Sequence, residues 1–257
     1  MVVGLGEIGK PILQLISKAT LAIGYDKYEK LMNKKQFLKY EKLETNLLHI
    51  CIPFSEKFIQ NVILLSKKFK PQGIVIHSTI SPNTTNKIQS LLSIPVIYSA
   101  TRGVHKRMLY DLKRYTKFYA VEANAPNATW ASLIYMKLMK KCGIKVKKMS
   151  NPLTLELAKI IVDTSYYGWL INYAQLSNMI AIENKVDYNE MWSFSDEIHK
   201  FLGNRPKMFP GYIGGHCIIP NLDLIHNQTL VLIKKLNTTY AKKIKNAKSI
   251  SKKYSQK

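Results

Sequence analysis

Cys217 follows Gly214, Gly215 and His216 inside a turn-rich run from Gly203 to Pro220. Glycine lets backbone approach a ligand closely, and the amides of a following helix start favour a thiolate, so the spacing suits a nucleophile. A small buried thiol is the alternative for any lone cysteine. A second constellation opens the chain, where Val2 and Val3 run into Gly4-Leu5-Gly6-Glu7-Ile8-Gly9 and apolar residues then recur at helical spacing from Pro11 to Leu15. A G-x-G-x-x-G turn between strand and helix can hold a pyrophosphate on its amides, with Gly4, Gly6, Glu7, Ile8 and Gly9 lining the turn. Asp26 stands twenty residues beyond Gly6, after a predicted strand from Leu21 to Tyr25. A carboxylate there accepts from an adenosine ribose diol and repels a 2′-phosphate, which favours NAD over NADP; Lys27 beside it weakens that preference. The alternative is an ordinary strand–helix–strand turn with a chance acid.

The elements that must position these residues alternate. Apolar runs at 46–52, 73–77, 95–98, 117–121 and 144–149 are separated by helical stretches, the pattern of a Rossmann-type, doubly wound parallel sheet in an α/β fold. After Asn151-Pro152 the character changes to one long apolar helix from Leu153 to about Glu183, further helical signals to Leu202, the Cys217 segment and a final helix. The expected organisation is a dinucleotide-binding domain over 1–150, a small all-helical central domain over 151–240 and a basic tail over 241–257. Tyr166, Tyr167, Trp169, Leu170 and Tyr173 spread around the long helix, which suggests either a partner helix or a plain core.

Composition narrows the classes. The 257 residues include 39 Lys and Arg against 16 Asp and Glu, for a net charge of +23, yet 46% are hydrophobic, which excludes wholesale disorder. Four of the cations are arginine (Arg102, Arg107, Arg114 and Arg205) and nine lysines fall between Lys234 and Lys257 with no acid among them. Lysine excess of this kind reads as background usage plus a solvated terminal run, and nucleic acid, which favours arginine forks, is the minority reading. No apolar run approaches the roughly 18 to 20 residues of a membrane span, and no cleavable leader is apparent, so a soluble cytoplasmic protein without a membrane partner is expected. Cys51, Cys142 and Cys217 are odd in number and widely spaced, against a disulfide framework or a zinc site.

Several segments together resemble the nucleotide-sugar 6-dehydrogenases of the UDP-glucose and GDP-mannose type, most of all those acting on UDP-N-acetylmannosamine. The P-G-x-x-x-G-G-x-C-I-P signature is matched by Pro210, Gly211, Gly214, Gly215, Cys217 and Ile218, with one residue fewer between Gly211 and Gly214 and the proline one place late at Pro220. Asn204-Arg205-Pro206 precedes it. His49 to Pro53 is similar to the I-C-V-P loop, His77 to Thr85 to the S-T-V-x-P-G-T-T loop beside the nicotinamide, and Glu156 to Lys159 to the E-x-x-K start of the central helix. The resemblance implies a Rossmann fold, NAD with Pro53, Ser78 and Thr79 near the nicotinamide, and a homodimer through the central helix. It further implies oxidation of a sugar primary alcohol toward the carboxylate, as in polysaccharide biosynthesis, through a Cys217 thiohemiacetal and thioester. Lys159 takes the place of the lysine that steadies the oxyanion or takes up a proton. Arg205, Tyr212, Gly214, Gly215 and Arg102 are candidate substrate contacts.

Three departures bear on the reaction. The family's Asn and Asp are replaced by Asp163, four residues after Lys159, and Asn221, four after Cys217, as though exchanged. A family glutamate is missing from Ser99 to His105, where His105 is a candidate replacement base. The resembled proteins also continue into a further nucleotide-binding domain, which a separate chain would supply unless the substrate is smaller or catalysis is lost. A β-hydroxyacid-type dehydrogenase using Lys159, and a non-catalytic NAD- or polyanion-binding protein, are the competing readings.

Overall fold

Neighbouring residues on the strands point to opposite faces, and the apolar ones fill two separate cores. The computed structural model describes residues 1–202, 210–214, 218–226 and 228–254. The first unit, Met1–Lys159, is built from strands β1 (Val2–Val3), β2 (Gly24–Tyr25), β3 (Leu47–Ile50), β4 (Gly73–Ile76), β5 (Val96–Tyr98), β6 (Lys117–Val121) and β7 (Val146–Lys148). Its helices are α1 (Gly9–Ile16), α2 (Lys34–Tyr40), α3 (Phe58–Phe69), α4 (Thr84–Gln89), α5 (Met108–Arg114), α6 (Ala128–Lys141) and α7 (Pro152–Leu157). The sheet order is β2-β1-β3-β4-β5-β6-β7. Val2, Val75, Ile97, Tyr119 and Val121 face one core with α1, α5 and α6. Val3, Leu48, Ile50, Ile74, Ile76, Val96 and Tyr98 face the other with α3, α4 and α7. The α/β, doubly wound fold expected from the strand and helix runs is the fold observed.

The strand directions differ in one respect from an all-parallel sheet. β1 to β5 are parallel, but β6 pairs antiparallel with β5 and β7 runs parallel to β6. The reason is the connection: between Tyr98 and Lys117 the chain forms a loop and α5 rather than a crossover helix, so it re-enters the sheet at the end where β5 left it. Helix α6 then supplies a true crossover to β7.

The second unit is Ile160–Lys257. The long predicted helix from Leu153 is real but not uniform. Asn151 caps α7 by accepting the Thr154 amide at 2.8 Å, and Pro152 occupies the first turn, where its missing N–H costs nothing. Ala158–Ser165 is then π-helical, and α8 (Tyr166–Asn184) resumes the α form. Helices α9 (Tyr188–Leu202), α10 (Ile219–Leu222) and α11 (Gln228–Tyr254) follow. A small core of Ile213, Leu222, Leu230 and Ile233 holds this unit together. No helix among the described residues is long and apolar enough to cross a membrane.

Candidate functional site

The chain passes from β1 to β2 on one side of it and then crosses back to β3 on the other, and α/β sheets bind ligands at the carboxyl ends of the strands at such a switch point. The Gly-rich turn lies there. Gly4 has φ +86°, and a β-carbon on it would sit 2.9 Å from the Cys51 carbonyl group and the Ile52 nitrogen. A β-carbon on Gly9 would stand 1.7 Å from the Gly4 carbonyl oxygen. These two glycines are therefore demanded by the protein itself, since helix and strand touch through them. Gly6 differs: a β-carbon there meets no protein atom within 4 Å, and it is exposed with Glu7. Helix α1 begins at Gly9 with no side chain capping it, so its first amides suit an anion.

Asp26 is buried at the end of β2. One carboxylate oxygen accepts the Leu5 amide at 2.6 Å and the other the Tyr28 amide at 2.9 Å. The acid is thus fixed against the Gly-rich turn, and a carboxylate has lone pairs beyond those two bonds for a ribose diol. Backbone close to open space at Gly6 and a fixed acid beside the turn fit a dinucleotide.

The loops after β3, β4 and β5 complete this rim. Ser78 donates to the Ile52 carbonyl at 2.5 Å, which ties the segment carrying Pro53 to that carrying Ser78 and Thr79. Glu156 is fully buried and accepts from the Asn83 amide, the Thr85 amide and the Thr85 hydroxyl at 2.5, 2.9 and 2.6 Å. It caps α4 from a distant helix, and so fixes α7, with Lys159 just beyond it, to the loop after β4. Burial raises the Glu156 pKa, and those three donors oppose the rise.

The segment after β5 reaches back to the Gly-rich turn. His105 Nδ1 lies 2.6 Å from a Glu7 carboxylate oxygen. Asp111, wholly buried, holds the base of this segment by accepting the Val104 amide at 2.8 Å and Arg107 Nε at 3.1 Å. These donors, the Val104 amide foremost, hold its carboxyl below the usual range. Arg102 donates to the Thr116 carbonyl at 2.7 Å and lies 5.0 Å over the Phe118 ring.

A buried polar row crosses four neighbouring strands behind this rim. His49 on β3 and His77 after β4 stack with ring centroids 5.2 Å apart, and His49 Nδ1 is 2.9 Å from His77 Nε2. His77 Nδ1 is 3.2 Å from the Ser99 carbonyl, which also accepts Lys117 Nζ at 3.0 Å. A carbonyl only accepts, so His77 carries its proton on Nδ1; its Nε2 must then accept from His49 Nδ1–H. Burial, above all, keeps both imidazoles neutral, with pKa values well below the ordinary one. Burial also pushes the Cys51 thiol up to about 12, so this cysteine is no nucleophile.

In the second unit, Tyr212, Gly214 and Asn221 are among the described residues, as is Asp163 in the π-helical stretch. Cys217, Arg205 and Gly215 lie outside the described residues. Two polar side chains unremarked in the sequence anchor the segment just before Cys217. Asn237 accepts the Ile213 amide at 2.9 Å and donates to the Ile213 carbonyl at 3.0 Å, pairing with it as a strand would. Gln175 donates to Asn237 at 3.0 Å and to the Gly211 carbonyl at 2.8 Å. The signal for Asn237 was present: it interrupts the apolar face of α11 formed by Leu230, Ile233 and Tyr240 at helical spacing.

No protein-family model and no curated protein matches the chain. Solved structures do. A UDP-D-ManNAc dehydrogenase from Pyrococcus horikoshii superimposes with a TM-score of 0.75 at 18% identity, over 93% of this chain and 69% of that one. The chain has the fold of these dehydrogenases. The UDP-N-acetyl-mannosamine dehydrogenase of Staphylococcus aureus gives 0.72 at 18% identity, over 98% and 70%. The 3-hydroxyisobutyrate dehydrogenase of Mycobacterium tuberculosis gives 0.66 at 13% identity, over 94% of this chain and 91% of its own.

Proposed function

We propose that the chain is a cytoplasmic, NAD-dependent oxidoreductase that oxidises the primary alcohol of a nucleotide sugar toward the carboxylate through Cys217. The observation that carries this reading is the pairing of open backbone at Gly6 with the fixed Asp26 carboxylate. Gly6 and the start of α1 bind the pyrophosphate, and Asp26 holds the ribose diol and disfavours a 2′-phosphate. NAD held by Gly6, the start of α1 and Asp26 would supply the hydride acceptor for each two-electron oxidation. The alcohol proton passes through water to solvent as the hydride leaves, and Lys159 steadies the resulting oxygen with its ammonium. The Cys217 thiolate adds to the aldehyde carbon, forming a C–S bond, and after the second oxidation water cleaves the resulting thioester to the acid. Asp163 and Asn221 supply the carboxylate and amide for that water.

The test is NADH production from a panel of UDP- and GDP-sugars, with Cys217→Ala as control. Turnover by the wild-type chain and loss of acid product in the variant are expected, and a panel with no NADH formed by any sugar sinks the reading. A hydroxyacid-type reaction is the second reading, favoured by the coverage of nearly the whole 3-hydroxyisobutyrate dehydrogenase. Full activity in Cys217→Ser on a small hydroxyacid would select it, because that chemistry needs Lys159 and no thiolate.

The same reading includes a homodimer through the central helix. Val162, Tyr166, Tyr167 and Tyr173 are 51–70% exposed within the single chain, an apolar surface suited to a second copy. Sedimentation equilibrium at micromolar concentration should return twice the 29.5 kDa chain mass; a monomer would exclude it.

A further inference from the structure

Lys117 opens β6 and is 6% exposed. Its ammonium faces the Ser99 carbonyl at 3.0 Å, the Ala100 carbonyl at 3.4 Å and the Thr101 hydroxyl at 3.4 Å. Three donors meet three acceptors on one turn, the turn that leaves β5 toward His105. An ammonium is costly to bury, and an uncharged residue at the start of a strand would pack there without that cost. What the amine provides in return is a fixed path for the segment that touches Glu7 in the Gly-rich turn.

We propose that Lys117 is the positioning residue of the cofactor site, holding the Ser99–Thr101 turn so that the following segment is set against the Gly-rich turn. The inference rests on the dinucleotide reading of that site. A protonated Lys117 gives three hydrogen bonds to the turn; a neutral amine has only two N–H groups to give, so the turn loosens when the proton leaves. Burial lowers the Lys117 pKa to about 7. The groups around it are His49, His77 and Cys51 at the ends of β3 and β4, Arg102 on the turn itself and Lys159 beyond α7. Arg102 and Lys159 oppose its charge. A cavity with room for about one water molecule lies beside this turn, walled by Arg102, Asp111, Tyr115 and Lys117.

The experiment is NADH binding, followed by fluorescence from pH 6 to 8.5, in the wild type, Lys117→Met and Thr101→Val. Wild-type binding should weaken several-fold as pH rises through neutrality. Lys117→Met keeps the length of the stem; it should bind about tenfold more weakly at pH 6 and lose the pH dependence, while its melting temperature stays level or rises. Thr101→Val removes one acceptor and should weaken binding two- to threefold with the pH dependence retained, which carries the test if Lys117→Met does not fold. Equal affinity and an unchanged pH profile in both variants would overturn the proposal. No NADH binding by the wild type would instead overturn the dinucleotide reading, a result distinct from either variant failing.

Discussion

Gly9→Ala is expected to reduce dinucleotide affinity by at least about a hundredfold and to destabilise the first unit by about 3 kcal/mol, the upper end of the usual range for overpacking. Its methyl group would stand 1.7 Å from the Gly4 carbonyl oxygen, far inside any van der Waals contact, so α1 or the turn has to move. Gly6→Ala supplies the contrast. Its β-carbon meets no protein atom and its backbone is not in the left-handed region, so stability should stay within about 1 kcal/mol of wild type. NADH affinity should nevertheless fall about tenfold, since the methyl occupies the space that a pyrophosphate needs. Thermal melts and NADH titrations on the two variants separate a glycine required by the fold from one required by a ligand. Unaltered binding in Gly6→Ala would mean that the open side of the turn is not a ligand surface.

Stability should depend steeply on pH, rising from neutrality toward pH 9. An unfolded lysine keeps its proton to about pH 10.5, whereas Lys117 in the folded chain loses it near 7. Between those values the unfolded chain binds the extra proton, so stability rises with pH by up to about 1.4 kcal/mol per unit. Below about 6.5 the two histidines act in the same sense, because unfolding lets them charge and folding keeps them neutral. Cys51 acts the other way above pH 9, where the unfolded thiol ionises and the folded one does not until about 12. The two slopes offset each other between 9 and 10.5. Beyond pH 10 the buried phenols of Tyr98, Tyr119 and Tyr135, all held above their ordinary value by burial, lower stability further. Urea denaturation should therefore show about 2–3 kcal/mol more stability at pH 9 than at pH 7. Lys117→Met should remove most of that difference and leave about 1 kcal/mol from the Met1 ammonium, which burial lowers to about 6. A wild-type profile flat from 7 to 9 would show that the amine stays charged in the fold.

The features legible in the sequence were those whose physics is local. The Gly4, Gly6 and Gly9 spacing, the strand before it and Asp26 after it are a short-range pattern, and the structure brings them to one turn. Asn151-Pro152 marked the start of a helix because cap and first-turn chemistry are written in adjacent residues. Strand direction is not so written: Lys117 to Val121 reads as a strand either way, and only the absence of a crossover helix before it reverses β6. His105 was singled out as a base, but its contact with Glu7 joins positions 98 residues apart and has no local signature. Lys117 had no signal at all among so many lysines, and its meaning comes entirely from burial. The π-helical stretch at Ala158–Ser165 likewise left no mark in the apolar pattern. Glu156 was visible as part of an E-x-x-K run, yet its work as the distant cap of α4 required the tertiary structure.

The pairing of Asn237 with Ile213 also has a consequence for the order in which the molecule comes together. The seven strands are all synthesised by Lys148, so the sheet and both its cores can consolidate while the rest of the chain is still being made. The stretch before Cys217 cannot. Its amide and carbonyl wait for a side chain that emerges 24 residues later, and Pro210 waits longer still for the Tyr240 hydroxyl. During synthesis the proposed dinucleotide site thus has its scaffold well before the segment leading to the proposed nucleophile has its anchors.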